Sequence, residues 1–360
     1  PSPTSGKNGS AFDLPIAVGI LRASGIISGD RLDGHLLLGE LSLDGRVKPI
    51  KGALPIAAGM RGRKGLSGLI LPRKNAPEAA AVSKEVSILA ADTLPQVVEH
   101  LNGEQELDRV AVDTKAEFGR PRRHEVDLSE IRGQQHAKRA MEVACAGGHN
   151  ILMIGPPGSG KSMLAQRIPT ILPELTLEEA IETSKVHSVL GLTGDGASLV
   201  STRPYRPPHH TISDAGLIGG GSFPMPGEVS MAHNGVLFLD ELPEFSRATL
   251  EAPRQPMETG RAVVSRVNAH VTYPARFQLI AAMTPCRCGH LGDAELACSR
   301  APRCARDYQS KISGPLFDRI DLHMEVPAVS AADLTLPPPA ENSADIAKRV
   351  AAARGIQRDR

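Results

Sequence analysis

Residues Gly155, Pro156, Pro157, Gly158, Ser159, Gly160, Lys161 and Ser162 lie between the apolar run Ile151–Ile154 and the helix-forming stretch Met163–Ile168. Strand, glycine-rich loop and helix in that order commit this part of the chain to an α/β fold whose loop wraps a phosphate group. The glycines let successive backbone N–H groups turn towards one anion, and the N-terminus of the following helix adds partial positive charge. Lys161 is spaced to reach the β- and γ-phosphates, and the Ser162 hydroxyl to ligate Mg²⁺. The competing reading, a glycine-rich turn with an incidental Lys-Ser, leaves the flanking strand and helix unexplained. The pattern implies a bound nucleoside triphosphate.

Further along, Gly235–Leu239 is an apolar run ending in Asp240 and Glu241. Downstream of a phosphate loop, such a strand brings Asp240 to Mg²⁺, directly or through water, and Glu241 to the attacking water. The paired carboxylates argue for hydrolysis rather than binding alone. Phe277–Met283 reads as the next buried strand and ends at Thr284. Arg319 lies in Ser313–Asp321, after a basic helix; on spacing alone it can pair with Asp318 or Asp321 or reach outward.

Composition narrows the class. At 360 residues, with 41% hydrophobic and 22% charged residues, the chain reads as two or three soluble domains. A net charge of +1 means that any nucleic-acid contact must come from local patches. An aromatic content of 3% with no Trp disfavours a base-stacking platform. No apolar run is as long as a membrane span and no signal peptide is visible, so no membrane partner is expected and the compartment expected is the cytoplasm. Pro1–Ser10 are small and polar without an initiating Met, as if the chain began inside a larger protein. Of five cysteines, Cys145 reads as a small helix residue, while Cys286, Cys288, Cys298 and Cys304 cluster around His290. Four thiolates would satisfy a structural, tetrahedral Zn²⁺; reduced thiols and an iron–sulfur centre are the alternatives.

Before the linker, Phe12–Leu21 reads as a buried helix with Pro15 in its first turn, and Leu36–Leu43 as a strand. Asp44-Gly45 would turn it into a hairpin with Arg46–Ile50. A helix over 53–61, a strand at Gly68–Pro72, a strand near Val86–Leu89 and a helix near Leu94–Leu101 complete an α+β unit. This part resembles the proteolytic domain of Lon-type proteases (ribosomal S5 domain 2-like fold), through Gly39-Glu40-Leu41 and Gly45–Gly52. Ala53-Leu54-Pro55-Ile56 stands where that family carries its Lys, and Phe12-Asp13-Leu14 where its Ser belongs; Ser10 and Lys51 are off-pattern. A Lon-like fold without the protease is the expectation.

The run Arg203–Ser213, followed by Gly219–Ser222 and Pro226-Gly227-Glu228 ahead of the carboxylate strand, resembles the magnesium-chelatase-type AAA+ proteins, and within them the ComM/YifB family. The resemblance covers nearly the whole chain. It implies a Lon-like domain over 1–101, a linker over 102–125, an AAA+ P-loop ATPase domain with a parallel sheet over 126–328, and a linker with the start of an α-helical lid over 329–360. It implies ATP rather than GTP, Thr284 as the polar residue called sensor 1, and Arg319 as an arginine finger entering a neighbouring subunit's site. It implies a helix-2 insert between Val189 and Gly227 and a β-hairpin over Gly260–Tyr273, both facing the channel of a homo-hexamer. Arg203, Arg206, Arg261, Arg266 and His270 could then contact phosphates of branched or single-stranded DNA. The activity implied is an ATP-driven ring motor performing branch migration in recombination during natural transformation. The alternative is the ATPase subunit of a magnesium chelatase remodelling a partner protein.

Overall fold

A computed structural model describes residues 10–118, 124–193, 198–221, 223–266, 269–289, 291, 298, 300–335, 337 and 341–360. The chain divides into two compact units. The first takes Pro1–Arg120 with Leu177–Ser201, and the second Pro121–Thr176 with Thr202–Arg360.

In the first unit, His35–Leu37, Gly68–Pro72 and Ser87–Ala91 form parallel neighbours, and Asp108–Val110 adds an antiparallel edge. Residues 108–110, expected within a linker, therefore belong to this sheet. Side chains alternate across a strand. Leu69 and Leu71 face a core with Leu54, Ala57, Ala79 and Ile88, whereas Ile70 faces the opposite core with Leu14, Val18, Leu89 and Leu101. The expected strand over Leu36–Leu43 is broken at Leu38-Gly39: its first part joins the parallel sheet, and Glu40–Leu41 pairs with Val47–Lys48. The helix Asp13–Ala23 buries Leu14 and Val18 but exposes Ile16 and Ile20, with Phe12 exposed at its N-cap, so it is half-buried rather than buried.

The segment Leu177–Ser201 comes from the region between phosphate loop and carboxylate strand, where the resemblance implies the insert to begin, yet it packs into the first unit. Leu199 is in that unit's core, with Leu177 and Ile181 against it. Ser188 of the helix Leu177–Leu190 accepts the Gly52 N–H at its carbonyl (2.9 Å), and its Oγ accepts the Leu54 N–H (3.3 Å). These are orphan donors at the start of the helix Ala53–Gly59, which has no side-chain cap of its own. The stem of Lys51 lies against Gly191.

The second unit is built on five parallel strands in the spatial order Leu322–Glu325, Ile151–Ile154, Gln278–Met283, Val236–Leu239, Tyr205–Arg206. Numbered along the chain, that is 5-1-4-3-2. The three central strands are near-continuous apolar runs because both faces are covered. Ile151, Met153, Phe238 and Ile280 face the helices Gln135–Gly147, Lys161–Ile171 and Ser343–Arg358. Leu152, Leu237, Leu279 and Ala281 face Leu217, Leu250, Leu316 and Ile320 on the other side. The helix Ser343–Arg358, expected to begin a lid, packs Ile346 and Val350 into the first of these cores. A hairpin of Arg261–Arg266 with Ala269–Pro274, in the register Val264↔Val271, precedes the Gln278–Met283 strand as expected.

Replacing Leu69, fully buried at the centre of the first sheet, by Ala is expected to destabilise that unit by about 2–5 kcal/mol in urea unfolding.

Candidate functional site

The carboxyl ends of the three central strands of the second unit meet. Ile154 runs into the loop beginning at Gly155, Leu239 into Asp240, and Met283 into Thr284. Gly155 donates its N–H to the Met283 carbonyl (3.2 Å), and a Cβ on it would lie 2.0 Å from the Val326 carbonyl oxygen. Only glycine fits there. Gly158 and Gly160 adopt φ of 75° and 91°, the left-handed turn that curls the loop into the helix Lys161–Ile171.

The Lys161 ammonium donates to the Gly155 and Pro156 carbonyls (both 2.8 Å) and to Ser159 Oγ (3.3 Å). Burial lowers its pKa, and the charges of Asp240 and Glu241 oppose that shift. Ser162 Oγ donates to Asp240 Oδ2 at 2.7 Å. Two neighbouring oxygens of a Mg²⁺ octahedron with bonds of about 2.1 Å sit roughly 3 Å apart, so this pair fits the edge of such a site. Glu241 has the left-handed conformation (φ 50°), uncommon for a non-glycine residue, and its N–H donates to Asp240 Oδ1 (2.9 Å). Its carboxylate is largely exposed and lies 3.5 Å from His210 Nδ1. The His210 ring stacks obliquely on His209 and meets Phe245 edge-on. In the sequence His210 stands out only as one member of the run Arg203–Ser213. Its position after Tyr205–Arg206, the strand beside the carboxylate strand, is the signal that could have placed it.

Thr284 Oγ1 donates to the Cys286 carbonyl (2.8 Å) and lies 3.4 Å from the Tyr308 hydroxyl. The turn after it leans on the phosphate loop: a Cβ on Gly289 would come within 2.4 Å of Pro157 Cδ. Cys286 and Cys288 bring their sulfurs to 3.2 Å. Hydrogen bonding to Cys298, with burial and the neighbouring Cys286, pushes the Cys304 thiol up to about 11. Among the described residues, no three His, Cys, Asp or Glu side chains are grouped so as to hold a metal ion, and none of the five cysteines is joined in a disulfide. The expectation of zinc thus gains nothing from the described geometry. His290 lies outside the described residues. Cys145 is fully buried, and burial pushes its thiol up to about 12, which makes it an inert core residue.

Arg319 is not with the others. Its carbonyl accepts from Asn150 Nδ2 (2.9 Å), at the start of the strand Ile151–Ile154, whereas the phosphate loop leaves the other end of that strand. At about 3.3 Å per residue this separates the backbone of Arg319 from its own chain's loop by more than 10 Å. Its guanidinium pairs with Glu258 rather than with Asp318 or Asp321. Asp321 instead accepts the Asn150 N–H (2.8 Å).

Two of the arginines expected to face phosphates are used internally. Arg203 donates to the carbonyls of Pro173, Glu174 and Asn234, and Arg206 forms a two-bonded pair with Glu228 (2.6 and 2.9 Å). Arg261 and His270 remain exposed on the hairpin, with Ser265 Oγ 2.6 Å from His270 Nδ1. The side chain of Arg266 lies outside the described residues.

A parallel sheet in the order 5-1-4-3-2, delivering a phosphate loop, a carboxylate pair and a polar strand end to one edge, defines a P-loop α/β unit of the AAA+ class. Residues 127–334 match the family described as magnesium chelatase, subunit ChlI, and residues 2–75 match a second ChlI family. The competence protein ComM of Haemophilus influenzae is 43% identical over 358 residues, 98% of this chain and 69% of that protein. YifB of Escherichia coli is 43% identical over 354 residues, 98% of this chain and 68% of that protein. The 38 kDa subunit of the Rhodobacter capsulatus magnesium chelatase is 27% identical over 177 residues, 44% of this chain and 50% of the subunit. The chain belongs to the ComM/YifB family of magnesium-chelatase-like AAA+ proteins. An archaeal Lon protease of Pyrococcus abyssi is 31% identical over 87 residues, 23% of this chain and 9% of that protein. Among the described residues no helix is long and apolar enough to cross a membrane.

Gly155→Ala is expected to lower stability by about 1–3 kcal/mol, because the new methyl overlaps the Val326 carbonyl; thermal unfolding of the variant beside the wild type measures it.

Proposed function

We propose that the second unit binds ATP with Mg²⁺ and hydrolyses it, and that the full-length protein does so as a homo-hexameric ring motor acting on branched or single-stranded DNA. The observation that carries the catalytic part is the 2.7 Å contact of Ser162 with Asp240, with Lys161 and Glu241 beside it. Bound Mg²⁺ would be held by Ser162 and Asp240 and would neutralise charge on the triphosphate. Gly155 to Gly160 turn their N–H groups to the phosphates, and Lys161 exchanges its loop carbonyls for phosphate oxygens. Glu241 takes the proton of the attacking water, Thr284 orients that water or the γ-phosphate, and Arg319 reaches a neighbour's nucleotide. The distance of Arg319 from its own phosphate loop supports action in trans.

The DNA part rests on likeness to the competence protein ComM and on the exposed Arg261 and His270 of the hairpin. The second reading, a chelatase ATPase subunit, is favoured by the ChlI family match. Steady-state ATPase of the full-length protein with and without forked DNA, at two salt concentrations, separates them. Salt-sensitive stimulation by DNA is expected, and its absence removes the DNA motor.

Lys161→Ala is expected to abolish nucleotide binding in equilibrium titration. Glu241→Gln is expected to bind ATP normally and to lower turnover by about 100-fold or more, the range of a lost general base; ordinary turnover in that variant would take the role from Glu241.

A further inference from the structure

The Arg319 side chain is held differently from its backbone. The backbone is pinned: its N–H donates to the Leu316 carbonyl (3.1 Å), its carbonyl accepts from Asn150, and the next residue, Ile320, is in the core. The guanidinium has two acceptors, the Pro315 carbonyl (2.8 Å from Nη1) and the Glu258 carboxylate, which it meets through Nη2. Among the described residues its Nε is buried without a partner. A permanent Arg–carboxylate pair favours two parallel hydrogen bonds, as Arg206 makes with Glu228 in this same unit. The Arg319 pair leaves a buried donor unmade, which is a standing cost that an acceptor with more oxygens would remove.

Glu258 sits in the last turn of the helix Arg254–Thr259, three residues before the start of the hairpin strand Arg261–Arg266, with Thr259 and Gly260 (φ 67°) between them. The carboxylate that holds the arginine is thus joined through one turn to the exposed hairpin.

We propose that Glu258 is a positioning residue that retains Arg319 within its own protomer until the terminal phosphate of a neighbour's nucleotide displaces it. The inference rests on the reading of Arg319 as acting in trans. The exchange trades one anionic acceptor for another, so the pinned backbone need not move and only the side chain swings. A hairpin shifted by a polyanion would carry Glu258 with it and release the arginine, so that engagement of the ligand and completion of the next subunit's site become one event.

The test is ATP turnover against protomer concentration for the full-length protein and four variants: Glu258→Gln, Glu258→Asp, Arg319→Ala, and the double variant Glu258→Gln/Arg319→Ala. Glu258→Gln is expected to raise turnover without DNA by about threefold or more, to leave the KM for ATP unchanged, and to lower the protomer concentration giving half-maximal turnover. Glu258→Asp, which keeps the charge but withdraws it by one methylene, is expected to do the same more weakly, and it decides the matter if the Gln variant does not fold. The double variant is expected to match Arg319→Ala, since Glu258 acts only through the arginine. Arg319→Ala with wild-type turnover overturns the trans reading itself. Arg319→Ala inactive while both Glu258 variants follow the wild-type curve overturns the retention by Glu258 alone. A lowered Tm with unchanged turnover per folded protomer also overturns it, because the pair would then be only structural.

Discussion

The carbonyl of Val326 stands where a side chain on residue 155 would begin. Pairing of Leu322–Glu325 with Ile151–Ile154, in the register Glu325↔Ile154, and the bond from the Val326 N–H to the Ile154 carbonyl (2.7 Å) put it there. On the other side the Met283 carbonyl takes the Gly155 N–H. The first residue of the phosphate loop is therefore clamped between both neighbouring strands, and the Gly289 turn closes against Pro157 further round. The curl at Gly158 and Gly160, the start of the helix and the place of Lys161 all follow from where that clamp aims the chain.

The side chains proposed to act on a nucleotide, in this protomer or its neighbour, each have an internal partner. Lys161 rests on its own loop carbonyls, Ser162 on Asp240, Glu241 near His210, and Arg319 on Glu258. Buried and half-buried polar groups need such partners, since an unmade hydrogen bond costs more than a made one contributes. A triphosphate with its cation offers replacements for these contacts, so binding is an exchange of acceptors and not the filling of a charged void. Specificity then depends on which ligand can satisfy all the exchanged donors together.

Local pattern made much of this legible. The apolar strands, the glycine-rich loop and the Asp240-Glu241 pair each announce a neighbourhood within a dozen residues, and parallel strands buried on both faces read as uninterrupted apolar runs. What escaped depends on distant partners. Arg203 and Arg206 look like surface cations until the carbonyls of residues 173, 174 and 234 and the carboxylate of Glu228 close on them. Asp108–Val110 sits in a charged stretch and becomes a strand only because Ser87–Ala91 has an open edge. The exposed Phe12, Ile16 and Ile20 repeat every fourth residue, so helical periodicity finds their common face but not whether it is covered. Glu258 and His210 carry no motif; their partners lie 61 and 31 positions away in the chain, and only the fold brings them together.

The chain passes between its two units after residues 120, 176 and 201. Neither unit is one continuous stretch: the second is interrupted by Leu177–Ser201, whose Leu199 and Ser188 serve the first. A gene fragment starting at residue 121 would express the nucleotide-binding unit with a helix bereft of the surface it was shaped for, and one ending at residue 120 would leave the Gly52 and Leu54 amides uncapped. Inheritance has to treat the pair as a single piece, because no one breakpoint can exchange either unit without wounding the other.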